Sequence, residues 1–115
     1  MPETVLWHNA RCSKSRETKE LLTDLDPDLE VREYLKDSPT RAEIESLLDA
    51  LGLDDPREII RTGEDAYKQL GLADADRDEL IDAIVDSPIL LQRPIAVRDG
   101  RAVVGRPPEL VKELF

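Results

Sequence analysis

The chain has a single cysteine, a single histidine and only 3% aromatic residues among 115 positions. A lone thiol excludes an internal disulfide, so sulfur does not hold the fold and a reducing cytoplasm is the expected setting. One histidine and one cysteine do not make a zinc ligand set, and no metal is expected. No stretch reaches the roughly 18 apolar residues of a membrane span. Met1 to Leu6 also lacks the basic start and apolar run of a secretion signal, so no membrane association is expected. Cations are scarce as well, with 16 Lys and Arg against 26 Asp and Glu, a net charge of −10. Such a field opposes binding to nucleic-acid phosphates or anionic lipid. The acidic runs LLTDLDPDLE and GLDDPREI admit two readings, a solvated face or adaptation to high salt. The length fits one domain, residues 1–115, and with no obvious exposed apolar stripe a monomer is expected.

What is present is ordered by its periodicity. Thr4 to Trp7 reads as a short buried strand, and Ser13 to Leu25 as a helix whose Thr18, Leu21, Leu22 and Leu25 share a face. Leu29 to Leu35 alternates as a second strand. Thr40 and Glu43 then form a capping box ahead of Ile44, Leu47, Leu48 and Leu51, and Gly52 stops that helix. A short helix capped by Asp54 or Asp55, with Pro56 in its first turn, is expected to run to Gly63. Two more follow, about Glu64 to Leu70 and Asp76 to Asp86, the latter with Leu80, Ile81, Ile84 and Val85 inward. PIAVRDGRAVVG reads as a hairpin turning at Asp99-Gly100, and Pro108 to Leu114 as a closing helix docked by Leu110, Val111 and Leu114. The order β-α-β, helices, β-β-α implies an α/β fold. Its economical form is a four-stranded mixed sheet flanked by helices, thioredoxin-like, with a helical insertion at about 40–87 between the βαβ and ββα parts.

Cys12 falls at the start of the first helix, beside unpaired backbone N–H groups and the positive end of the helix dipole. That field favours thiolate over thiol. Arg11, Lys14 and Arg16 are expected to push the same way, which makes Cys12 a candidate nucleophile. A free cysteine is also often a small buried hydrophobe, but a core position is not normally bracketed by Arg11, Ser13 and Lys14. The same N–H groups suit an oxyanion. The Cys-x5-Arg loop of tyrosine phosphatases would need arginine where Thr18 stands, and a dithiol enzyme would need cysteine where Ser15 stands. The motif is therefore monothiol, and any resolving thiol must come from another molecule. His8, four residues upstream, either assists thiolate formation or is a local structural group. Asn9 is expected to shape the turn.

The segment His8-Asn9-x-Arg11-Cys12-Ser13-Lys14-Ser15-Arg16 resembles the active-site loop of the glutaredoxin-coupled arsenate reductases, the ArsC/Spx family. YLKDSPTRAEIESLLDALGL, EIIRTGEDAYKQLGL, SPILLQRPIAV and VVGRPPELV resemble that family's later segments, so the likeness runs from about Val5 to Leu114.

The resemblance implies an oxidoreductase of arsenical resistance in which Cys12 attacks arsenate and three arginines, Arg61, Arg93 and Arg106, hold the oxyanion. Planar guanidinium forks suit that task. It further implies a cis bond at Arg93-Pro94. No cofactor is bound in this scheme. Glutathione is the reductant that drives arsenic(V) to arsenic(III), and glutaredoxin clears the mixed disulfide on Cys12. The departures from the family pattern, Ser13 directly after the cysteine and Ala10 ahead of it, keep two alternatives open. One is a glutathione-dependent monothiol oxidoreductase acting on protein mixed disulfides. The other is an Spx-like regulator that binds RNA polymerase, for which Ser15 replaces the expected second cysteine.

Overall fold

A computed structural model describes residues 3–115, which form two compact units, residues 3–37 with Arg93–Phe115, and Ser38–Gln92. In the first unit, β1 (Thr4–His8) pairs in parallel with β2 (Glu30–Glu33) through the crossover helix α1 (Ser13–Leu25). On its other side β1 runs antiparallel to β3 (Ile95–Arg98), which forms a hairpin with β4 (Arg101–Val104). The sheet order is β2-β1-β3-β4, the mixed four-stranded arrangement that the order of elements predicts. A central strand covered on both faces does not alternate, and in β1 only Val5 escapes full burial. Leu6 of β1, Leu22 of α1, Ala96 of β3 and Val111 and Leu114 of the C-terminal segment form one buried cluster. Each large side chain there contributes about 1.5–3 kcal/mol by leaving water. The hairpin turns where Asp99 and Gly100 take φ of 51° and 75°, the pair of positive values that a type I′ turn demands.

The second unit holds α2 (Arg41–Leu51), α3 (Asp65–Gln69) and α4 (Arg77–Asp86), with 3₁₀ turns at Pro56–Ile59, Leu72–Asp74 and Pro88–Leu90. Thr40 and Glu43 make the reciprocal capping box read from the sequence, and Asp76 with Glu79 makes a second one at α4. Such a cap is worth about 0.5–2 kcal/mol. Helix α2 ends at Gly52 in the left-handed conformation. The α2 and α4 faces bury Ile44, Leu47, Leu48, Leu80, Ile81 and Ile84.

Four expectations change. The helix expected to run to Gly63 is a 3₁₀ turn ending at Ile59, because Ile60 is extended and bridges Leu91 antiparallel. Leu35 lies outside β2 and is exposed, since the chain turns after Glu33, whose carbonyl accepts from the N–H groups of Lys36 and Asp37 at 2.9 Å each. Leu25 points to solvent at the end of α1. The closing segment Pro108–Leu114 is a 3₁₀ helix, too short to nucleate a stable α-helix, and it docks by Pro108, Val111 and Leu114 with Leu110 half-buried. Among the described residues no helix is long and apolar enough to cross a membrane.

Candidate active site

Cys12 is the N-cap of α1, with extended φ and ψ of −96° and 124°. The loop that delivers it is tied by Asn9, whose carbonyl accepts from the Cys12 N–H at 3.0 Å and whose Oδ1 accepts from the Arg11 N–H at 3.0 Å. The Asn9 N–H donates to Ser15 Oγ at 3.0 Å, and His8 Nδ1 lies 2.8 Å from the same oxygen. Ser15 is fully buried in the first helical turn, so its hydroxyl pins both ends of the loop. No acidic side chain occupies that turn. The N–H groups of Lys14 and Ser15 face the Cys12 sulfur without closing a full capping bond, and they are the orphan donors every helix start leaves.

The sulfur is largely covered, with 9% of the residue exposed. Burial pushes the thiol up, but the Ser15 N–H, a hydrogen bond and the charge of Arg93, and the Lys14 N–H together outweigh it and hold the thiol below its ordinary value. Arg106 Nη2 also stands 3.7 Å from Cys12 Sγ, and its Nε donates to the Arg93 carbonyl at 2.7 Å. Two guanidinium groups therefore meet at one sulfur. On Arg93 the Nε and Nη1 atoms are buried and have no hydrogen-bond partner. Buried charged donors without acceptors are costly, so they call for an acceptor beside Cys12.

The cations expected from the flanking sequence do other work. Arg11 and Ser13 are exposed, Lys14 pairs with Glu17 at 3.7 Å, and Arg16 Nη1 donates to the Ala10 carbonyl at 3.0 Å. It is Arg93 that charges the thiol environment, from a segment some eighty positions along the chain. Arg93-Pro94 is cis as the resemblance implies, and so is Arg106-Pro107, which sequence reading did not anticipate. Arg61 belongs to the second unit. Its N–H donates to the Leu90 carbonyl at 2.7 Å and its guanidinium pairs with Glu64, a partner sequence reading missed. The first unit thus brings together Cys12, Arg93 and Arg106, while Arg61 stands in the other unit with a carboxylate beside it.

A cleft of about 610 Å³ lies on the His8 flank of the loop, lined by His8, Ala10, Arg16, Lys19, Glu20, Thr23 and Asp24. Cys12 and its two arginines do not line it, so cleft volume is no guide to the reactive sulfur here.

His8 is buried at 4% exposure, and burial, followed by Lys19, pushes its ring below the ordinary 6.5. The ring bonds Ser15, whose hydroxyl also accepts from the Asn9 N–H, so His8 touches the tie that holds the Cys12 loop. As pH falls, the unfolded chain takes up the histidine proton before the folded one does. Stability is therefore full above 6.5 and declines as pH drops through that value towards the lower folded pKa. This is the only histidine, so His8→Gln, which can keep the bond to Ser15, is expected to remove that decline. Urea unfolding at about pH 7.5 and about pH 5.5 measures it, and an equal loss in wild type and His8→Gln would refute the assignment.

Among the described residues no group of three or more His, Cys, Asp or Glu side chains is placed to hold a metal ion. The family model described as the ArsC family matches residues 7–114. The Escherichia coli (strain K12) protein YfgD, described as uncharacterized, is 48% identical over 95% of this chain and 93% of its own. An arsenate reductase of Neisseria meningitidis (serogroup A) is 43% identical over 100% of both chains. The solved structure of an arsenate reductase from Vibrio cholerae superposes with a TM-score of 0.94 at 41% identity, covering 99% of this chain and 98% of that one. A thioredoxin-like sheet, a helix-capping cysteine and two arginines gathered on it stand in a sequence that matches the family nearly from end to end: the chain belongs to the ArsC family.

Proposed function

We propose that the protein reduces arsenate to arsenite with Cys12 as the nucleophile and glutathione with glutaredoxin as the source of electrons. The observation that carries this reading is half-buried Arg93 beside a thiol held towards its anion, with its buried Nε and Nη1 left without acceptors. A tetrahedral oxyanion supplies such acceptors, and relatives named arsenate reductases share the whole length of the chain. Because the protein as a whole is strongly negative, attraction for a dianion has to be local, and paired guanidinium groups provide it.

The reaction is a two-electron reduction. The Cys12 thiolate forms a sulfur–arsenic(V) bond as hydroxide leaves and takes a proton to become water. A glutathione thiolate then forms a disulfide with the Cys12 sulfur, and the electron pair of the broken sulfur–arsenic bond passes to arsenic, now arsenic(III). A glutaredoxin thiolate attacks the glutathione sulfur of that disulfide and returns Cys12 to its thiolate. Ser15 offers no second thiol in the chain, which is why the resolving sulfur comes from outside. Arg93 and Arg106 are the groups assigned to the oxyanion, and stabilisation of charge as it develops is their contribution. The need for a reducing thiol pool places the reaction in the cytoplasm, with the protein acting as a monomer.

The test is arsenite formation by the purified chain, supplied in turn with glutathione plus glutaredoxin and with a thioredoxin system. Turnover in the first is the expected result. Turnover with thioredoxin alone would overturn the choice of reductant. No arsenite in either, alongside a ready glutathione disulfide on Cys12, would replace the reading with that of a monothiol oxidoreductase on protein mixed disulfides.

A further inference from the structure

Gly105 directly follows β4 and is buried, and its N–H donates to the Pro94 carbonyl at 2.9 Å. Its φ is not in the left-handed region, so the backbone does not require glycine. Space does. A Cβ at this position would lie 3.0 Å from Pro94 Cγ, 3.0 Å from Thr18 Oγ1 and 3.3 Å from Thr18 Cγ2, all inside the roughly 3.5–4.0 Å optimum of non-bonded contact. Thr18 is fully buried and its Oγ1 donates to the Lys14 carbonyl at 2.8 Å, so it does not swing aside without losing that bond.

Three segments meet at this point. Thr18 stands on α1, which Cys12 caps. Pro94 follows Arg93, and Arg106 follows Gly105 itself. Arg106 in turn bonds the Arg93 carbonyl at 2.7 Å and reaches Cys12 Sγ at 3.7 Å.

The geometry points to Gly105 as a positioning residue: its missing side chain lets the end of β4 seat against Thr18 and Pro94, and that close seat sets Arg106 and Arg93 at the Cys12 sulfur. The arsenate part of its test rests on the proposed function, whereas the thiol part does not. A methyl group here has to push apart the strands of the loop that hold the two arginines. Misplacement of a binding group by about 1 Å can cost up to about 100-fold in rate.

For Gly105→Ala, the arsenate KM is expected to rise about tenfold with a smaller change in kcat. The pH midpoint for alkylation of Cys12 in the folded protein should move up, towards that of free cysteine. Adding Thr18→Ala removes two of the three close atoms and leaves only the Pro94 ring carbon, which a change of pucker can relieve, so both quantities should return most of the way. A role in packing alone predicts a lower Tm with KM and the alkylation midpoint unchanged, and that result would overturn the inference. Should Gly105→Ala fail to fold, the comparison becomes Gly105→Ala/Thr18→Ala against Thr18→Ala. The remaining 3.0 Å approach to Pro94 predicts a smaller shift of the same sign, and identical values would overturn it. If wild type forms no arsenite while Gly105→Ala still moves the alkylation midpoint, the positioning role stands and the arsenate reading falls.

Discussion

Cys12→Ser is expected to lower arsenite formation at least about 10⁴-fold while leaving arsenate affinity within a few-fold of wild type. Serine keeps the size and the place at the helix start, so Arg93 and Arg106 lose little of their geometry. What disappears is the chemistry. A hydroxyl in this position stays protonated at neutral pH, and oxygen does not form the disulfide through which the electron pair reaches arsenic. Arsenite measured in a glutathione and glutaredoxin assay, with arsenate binding followed by calorimetry, separates the two quantities. Activity within tenfold of wild type would mean that the electrons bypass Cys12.

Arg93→Ala is expected to lower kcat/KM for arsenate by about 10²–10³, the usual effect of removing one donor from a site where negative charge develops. The loss has two parts. Arg93 both favours the Cys12 thiolate and carries two buried nitrogens without acceptors, so its removal should also raise the thiol pKa. Arg93→Lys divides these roles, because an ammonium restores charge but not the planar fork. Ionisation of Cys12 should recover in the lysine variant while the arsenate KM stays high. If alanine leaves the thiol titration unchanged, Arg93 does not act on Cys12.

Local chemistry was the most legible part of the chain. The Thr40–Glu43 box and the Gly52 stop span a few residues each, and the structure reproduces them because nothing distant competes with a helix end of that kind. The Asp99-Gly100 turn was readable for the same reason. Ile59 and Ile60 were not, since two adjacent isoleucines fit a helix face as well as a bridge, and the choice is made by Leu91 some thirty residues later. The site divides along the same line. Cys12 at a helix start could be read from its flanks, whereas those flanks do not show which cation acts on it, and only the family resemblance points to Arg93 and Arg106. Arg11, Lys14 and Arg16 are near in sequence but turn to solvent, to Glu17 or to the Ala10 carbonyl, while Arg93 and Arg106 arrive with the return of the chain to the sheet. The Gly105 contact was hidden for a related reason, because a glycine required for space looks in sequence like any other.

The account depends on a sulfur that ionises readily although it is nearly covered. Alkylation of Cys12 by iodoacetamide across about pH 4 to 10, in the folded wild-type protein without arsenate, measures that directly. A midpoint clearly below the roughly 8.5 of a free cysteine is the predicted result. A midpoint at or above that value would mean that burial prevails over the helix start and Arg93, and it would contradict the nucleophile on which the proposed reduction rests.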